Sequence, residues 1–377
     1  MLTRRDAILI SLAGYMCRWT SSTAASATGF SDHRYAGAMV IDALGGPGGF
    51  DPNEAEDAPL SQKFVADALA SGVTAAHVTV NEVGNGPDRF TKTIANMAWA
   101  EHELAAHPDV FLKVLKAKDL HTAKETKRMG LIFGFQDTSM LEGDLKRLSV
   151  FFDLGVRIAQ PTYNRRSLMG DGCLETSDGG LSRLGQEFVA ELNRLQMLLD
   201  LSHASPRTIA DGIAASRAPM AITHTGCRDL VDVPRNTYDT SLKALADRGG
   251  VAGIYFMPFL RQSGQPHADD VIRHLEHAVN VCGEDHVGLG TDGSISGADT
   301  NEAYAKRHRK FVEERIKAGV SAPGESVDVF NVIPEYNDPR RFATLANDLD
   351  HRGWTTGRIE KILGQNFARL FTEVWKS

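Results

Sequence analysis

The stretch "MLLDLSH" (residues 197–203) is an apolar run of strand length that ends in polar residues and His203, and "MAITHTG" (220–226) repeats the pattern with His224. A continuous apolar run describes a strand buried on both faces, as in a parallel sheet covered by helices. Six more such runs flank the pair: "MVIDAL" (39–44), "TAAHVTV" (74–80), "LIFGF" (131–135), "VRIAQPTY" (156–163), "GVAGIYFMP" (250–258) and "HVGLGTDG" (286–293). Helical patterns separate most of them. "FVADALASG" and "LKRLSVFFDLG" end in Gly, the favoured residue just past a helix. "LGQEFVAELNRLQ" puts apolar residues at 184, 188, 189, 192 and 195, a helical stripe. Eight strand–helix units predict an α/β protein of the (β/α)8 TIM-barrel type. The other arrangement, an open doubly wound sheet, needs a phosphate-binding turn after its first strand. "GGPGG" (45–49) lacks GxGxxG spacing, and Pro47 would not open a helix in that way.

The chain of 377 residues is 42% hydrophobic and 24% charged with a net charge of −7, which is ordinary globular composition. Nothing supplies the basic face that nucleic-acid binding needs. Residues 1–27 differ from the rest. Arg4 and Arg5 precede a short apolar run, and Ala25, Ser26 and Ala27 form a small-residue cleavage pattern. This predicts an export signal of the twin-arginine type, a periplasmic or exported location, and one mature domain over residues 28–377. The apolar run is too short to span a membrane, and no transmembrane segment is expected in the mature domain. Cys17 lies in the signal. Cys173, Cys227 and Cys282 show no CxxC spacing, so no structural zinc is expected, and one disulfide with an odd thiol remains compatible with an oxidising compartment. Residues 294–340 form an insert after the eighth strand with one helical part, "NEAYAKRHRKFVEERIKAG". "TTGRIEKILGQNFARLF" is a closing helix with a Thr cap.

Barrel active sites lie at the C-terminal strand ends, and the ends here are polar. Strand three ends in Gln136 and Asp137, strand four in Tyr163 and Asn164, strand five in His203, strand six in His224 and strand eight in Asp292. Two histidines on adjacent strands with a strand-eight aspartate form the residue inventory of a barrel metallohydrolase. Neutral imidazole suits zinc, and the aspartate suits proton transfer.

"DLSH", "THTGCRDLVDVPRNTYD", "HVGLGTDG" and "KILGQNFARLF" resemble the membrane (renal) dipeptidase family in order and spacing. "GLIFGFQDT", "GVRIAQPTYN" and "GDGCLETSDGGLSRLG" extend the resemblance over roughly residues 38–372. The resemblance implies a zinc-dependent barrel enzyme that cleaves dipeptides, often as a homodimer. It implies that His203 and His224 are metal ligands and that Asp292 contacts the substrate amine and moves protons. It further implies that Arg235 of the "RN" motif grips the substrate carboxylate; Asn236 and the strand-four Asn164 are candidate substrate contacts. A guanidinium there is chemically apt, because its planar fork pairs with a carboxylate through two bonds.

The chain departs from the family in one half of the site. The family's first-strand His-x-Asp pair corresponds to Leu44 and Gly46, its metal-bridging glutamate to Gln136, and its strand-four histidine to Tyr163. Leucine and glycine have no donor atoms, and a neutral amide is a poor bridge between cations. A two-metal centre is therefore not expected. Asp42 lies one layer deeper than Leu44 on the same strand face and cannot take its place. A lone strand histidine such as His77 is more often a satisfied core residue. The residues leave open a single zinc on His203 and His224, with Gln136, Asp292 or solvent completing it, and a metal-free pocket. An exported dipeptidase-like hydrolase with at most one zinc is the favoured reading, acting on a small peptide-like or amino-acid-derived carboxylate. The alternatives are a non-hydrolytic tailoring enzyme and an inactive small-ligand-binding protein of the same fold.

Overall fold

A computed structural model describes residues 30–47, 58–84 and 86–375. The expected export signal, residues 1–27, lies outside the described residues, as do Gly48 and Gly49. Eight parallel strands form the barrel. They are β1 (Ile41–Asp42), β2 (Ala75–Thr79), β3 (Met129–Phe135), β4 (Val156–Ala159), β5 (Leu198–Leu199), β6 (Ala221–Thr225), β7 (Val251–Ile254) and β8 (Val287–Leu289). Each falls inside, or overlaps, one of the eight apolar runs. Strands pair in chain order from β1 to β5 and from β6 to β8.

Two seams close the ring. Between β5 and β6, Asp200 bridges Ala221, and Leu201 N donates to Ala221 O at 2.8 Å. Between β8 and β1, Ala43 N donates to Leu289 O at 2.9 Å, and just beyond, Gly45–Gly46 pairs in parallel with Gly293–Ser294. The short strand Phe111–Lys113 was not foreseen. It pairs with the first half of β3 while β4 takes the second half. Its three residues are too few to set a period, and Lys113 breaks the apolar run.

The flanking helices follow their local sequence. The striped segment is the helix Arg183–Leu195, capped by Ser182, whose hydroxyl accepts from Gly185 N, with Phe188, Val189, Leu192 and Leu195 buried. Gly72 ends the helix Gln62–Ser71 in the left-handed conformation that the predicted stop requires. Thr355 caps the closing helical segment by accepting from Arg358 N.

A small core of Ala43, Ala75, Ile132, Ile158, Leu198, Ala221 and Val251 packs with Phe367, Leu370 and Phe371 of the C-terminal helix Asn366–Val374. Two residues further along the same strand faces the side chains turn polar: His77, Gln160, Asp200 and Thr223, all buried. A glycine at 134 makes room for this layer, since a Cβ there would sit 2.0 Å from His77 Nε2. The change from apolar to polar along the barrel axis sets where the site begins.

Candidate active site

β5 and β6 supply two imidazoles. At the end of β5 the Asp200 carboxylate accepts from Ser202 N (3.0 Å), Ser202 Oγ (2.7 Å), Thr223 N (2.9 Å) and Thr223 Oγ1 (2.6 Å), which ties the two strand ends together. His203 follows with φ of 62°, a left-handed conformation uncommon for a residue with a Cβ. Its Nδ1 meets Asn164 Oδ1 at 2.6 Å. The Asn164 amide nitrogen donates to Val320 O at 2.8 Å, so Oδ1 must accept and Nδ1 carries the proton. On β6 the ladder register shifts between Ile222 and Thr225, and His224 N donates to Ser202 Oγ instead of to a strand. Such irregularities re-aim side chains beside active sites. His224 Nδ1 meets Thr223 Oγ1 at 2.8 Å, and that hydroxyl spends its own proton on Asp200.

Both Nε2 atoms therefore present lone pairs, and both are buried without a partner among the described residues. The ring centroids are 4.9 Å apart. Burial, reinforced by the positive charge of Arg235, holds both imidazoles well below the usual histidine range, so both are neutral. They form a two-nitrogen donor set of the kind zinc accepts.

The β1–β3 side of the mouth is unlike this. Leu44 is buried. Gly46 is paired to Ser294, and a Cβ on it would meet Val78 Cγ1 at 2.8 Å. The Gln136 amide donates to Thr79 Oγ1 at 2.8 Å. Asp42 accepts from Thr291 N (2.8 Å), Thr291 Oγ1 (2.6 Å) and Leu44 N (3.3 Å), so its carboxylate joins β1 to β8. His77 spends Nδ1 on Ala43 O at 2.7 Å, and its Nε2, facing Gly134, is buried without a partner among the described residues, so it is not the fully satisfied core histidine expected. Among the described residues no three His, Cys, Asp or Glu side chains converge to hold a metal. The donor set fits no two-ion centre.

Around the histidines lie groups that bind and move charge. Arg235 is 3% exposed, its guanidinium sits 5.6 Å from the Tyr255 ring, and its Nη2 has no partner among the described residues. Asn236 was expected among the substrate contacts. Its amide instead donates to Val231 O (2.8 Å) and Phe259 O (3.0 Å) and accepts from the Tyr255 hydroxyl, so it shapes the loop that carries Arg235. Asn164 likewise orients His203 and also receives the Cys173 thiol at 3.4 Å. Asp292 has φ of 57°, and its N donates to Leu44 O at 2.7 Å. Burial pushes its carboxyl up to about 6, with Arg235 and Arg315 pulling the other way. The Tyr163 ring stacks on His203 with centroids 4.0 Å apart. Its hydroxyl, raised above the usual tyrosine range chiefly by burial, lies 3.4 Å from Arg315 Nη1.

Arg315 is the residue that sequence reading missed. It projects from the insert helix Glu302–Lys317 and is clamped by Glu325 at 2.7 and 2.8 Å. In the sequence it stands in a run of charged residues, with nothing to set it apart. Cys173, Cys227 and Cys282 are all free thiols. A cavity of about 540 Å³ opens between Asp292 and the insert, and one of about 330 Å³ lies on the Tyr163 side.

A sequence model of the family described as "Membrane dipeptidase (Peptidase family M19)" matches residues 58–323. An amidohydrolase from Pseudomonas aeruginosa has a similar structure, with a TM-score of 0.78 and 30% identity over 91% of this chain and 98% of that one. A Klebsiella pneumoniae protein known as an uncharacterized protein in the pqqA 5' region is 28% identical over 73% of this chain and 93% of its own length. Dipeptidase tcpJ of Claviceps purpurea is 27% identical over 69% of this chain, and the aligned part spans about half, 54%, of the fungal protein. No described helix is long and apolar enough to cross a membrane.

Proposed function

The chain belongs to the membrane dipeptidase family, peptidase family M19, and from that premise we propose that it is an exported dipeptidase-like hydrolase acting on a small amino-acid-derived carboxylate. The observation that carries this reading is Arg235, a buried guanidinium with an unpartnered nitrogen and no ion pair among the described residues. A buried cation is costly unless it is paired. A ligand carboxylate supplies the missing partner and fixes one end of the substrate.

The remaining groups divide the work. Asp292, with its carboxyl pushed up to about 6, is poised to accept a proton from the attacking water and return it to the leaving amine. Tyr163, backed by Arg315 and close enough to Asp292 and Arg235 to feel their charges, would serve as a donor toward the scissile carbonyl oxygen. Asn164 and Asn236 hold His203 and the Arg235 loop in place. His203 and His224 would hold at most one zinc, which would act as a Lewis acid. No step here depends on it.

The thin donor set favours a second reading, a small-carboxylate-binding protein without turnover. Incubation of the purified protein with unblocked dipeptides separates the two. Cleavage that is lost in Asp292→Asn supports the hydrolase. Ligand-induced thermal stabilisation without any product, and only weakened binding in Asp292→Asn, would favour the binding protein.

A further inference from the structure

The larger cavity lies between Asp292 at the β8 end and the insert, and neither His203 nor His224 lines it. Five aromatic side chains form much of its wall: Phe64 from the helix Gln62–Ser71, Phe256 from the barrel, and Tyr304, Phe311 and Tyr336 from the insert. Phe256 and Tyr336 lie with centroids 5.5 Å apart. The same wall holds two polar atoms, Ser296 Oγ and Arg307 Nε, both buried without a hydrogen-bond partner among the described residues. Arg307 makes no ion pair among the described residues. Aromatic walls favour a planar ring by stacking and edge contacts. Ser296 Oγ and Arg307 Nε are hydrogen-bond donors that await an oxygen acceptor. The volume of about 540 Å³ lies in the range of small-ligand sites and is larger than a short aliphatic side chain fills.

We propose that this cavity is the side-chain pocket for an aromatic residue bearing an oxygen substituent, carried on the amine end of the substrate beside Asp292. The amine-end placement rests on the carboxylate-binding reading above, in which Arg235 takes the other end. The insert thus selects a tyrosine-like group over an aliphatic one.

The test compares Tyr-Gly, Phe-Gly, Leu-Gly and Gly-Tyr with the full-length protein, read as Kd, or as kcat/KM where the peptide is cleaved. Tyr-Gly is expected to be preferred about tenfold over Phe-Gly and several-fold more over Leu-Gly. Arg307→Met and Ser296→Ala should each narrow the gap between Tyr-Gly and Phe-Gly. Equal use of Gly-Tyr and Tyr-Gly overturns the placement. Equal use of Tyr-Gly and Leu-Gly, with all binding lost in Arg235→Met, overturns the pocket and leaves the carboxylate reading intact. Tyramine, which lacks a carboxylate, isolates the pocket. Its binding should depend on Arg307 and not on Arg235, and no binding of tyramine or of any tyrosyl peptide sinks the proposal.

Discussion

At the ends of β5 and β6 the barrel holds His203 and His224 with both Nε2 atoms unpartnered among the described residues, whereas the β1 and β3 ends present Leu44, Gly46 and the amide of Gln136. Beneath this contrast the scaffolding is the same on both sides. Asp200 on one side accepts from the N and Oγ1 of Thr223, at 2.9 and 2.6 Å. Asp42 on the other accepts from the N and Oγ1 of Thr291, at 2.8 and 2.6 Å. Each aspartate–threonine tie locks a strand end to its neighbour. Both ties are made by the chain's own groups and do not use the side chains at positions 44, 46 and 136. Arg235, Arg315 and the stacked Tyr163 ring stand beside the retained half.

The largest effect expected lies on that retained half. Arg235→Met should weaken binding of carboxylate ligands about 100-fold, since a buried charge pair is worth several kcal/mol. The melting temperature should fall little, because the variant removes a buried cation that makes no ion pair among the described residues. Unchanged affinity by calorimetry would break the assignment of Arg235.

The lost half is sharpened by restoring it. Leu44→His, Gly46→Asp and Gln136→Glu together, with Val78→Ala to clear the space over Gly46, should raise bound zinc by about one equivalent per chain. The metal-free protein should lose about 1–3 kcal/mol of stability from burying unpaired polar groups. No gain in zinc would show that the two halves differ in scaffold as well as in donors.

A smaller effect concerns Asp292. Its carboxyl is raised from 3.8 to about 6 in the fold, so the folded state binds a proton that the unfolded state has released. The stability this contributes is fully present below pH ~4 and is lost as pH rises through ~6. Asp292 is half-buried, so the loss is about 1–2 kcal/mol. Asp292→Asn should be the more stable form at pH 8, with the difference shrinking toward pH 4 in denaturant titrations. A pH-independent difference would contradict the raised carboxyl.

Much of this was legible in the sequence. The eight strands were readable because a buried parallel strand is apolar on both faces, and the missing donors because Leu44 and Gly46 carry no ligating atoms whatever their surroundings. The family match itself begins at residue 58, after β1. The parts that were not legible are those set by contacts across long separations. Arg315 reaches Tyr163 from the insert, 152 positions away. Asn236 is held by Tyr255 and Phe259, which sequence order does not place beside it. His77 reads as an ordinary strand residue until Gly134 is seen to make room for it.

The contrast between the two halves is tested most directly by the zinc content of the purified, zinc-equilibrated and dialysed protein, measured by plasma mass spectrometry. No more than one zinc per chain is expected, and none after His203→Ala and His224→Ala are combined. Two zinc ions per chain would contradict the loss of the β1–β3 half.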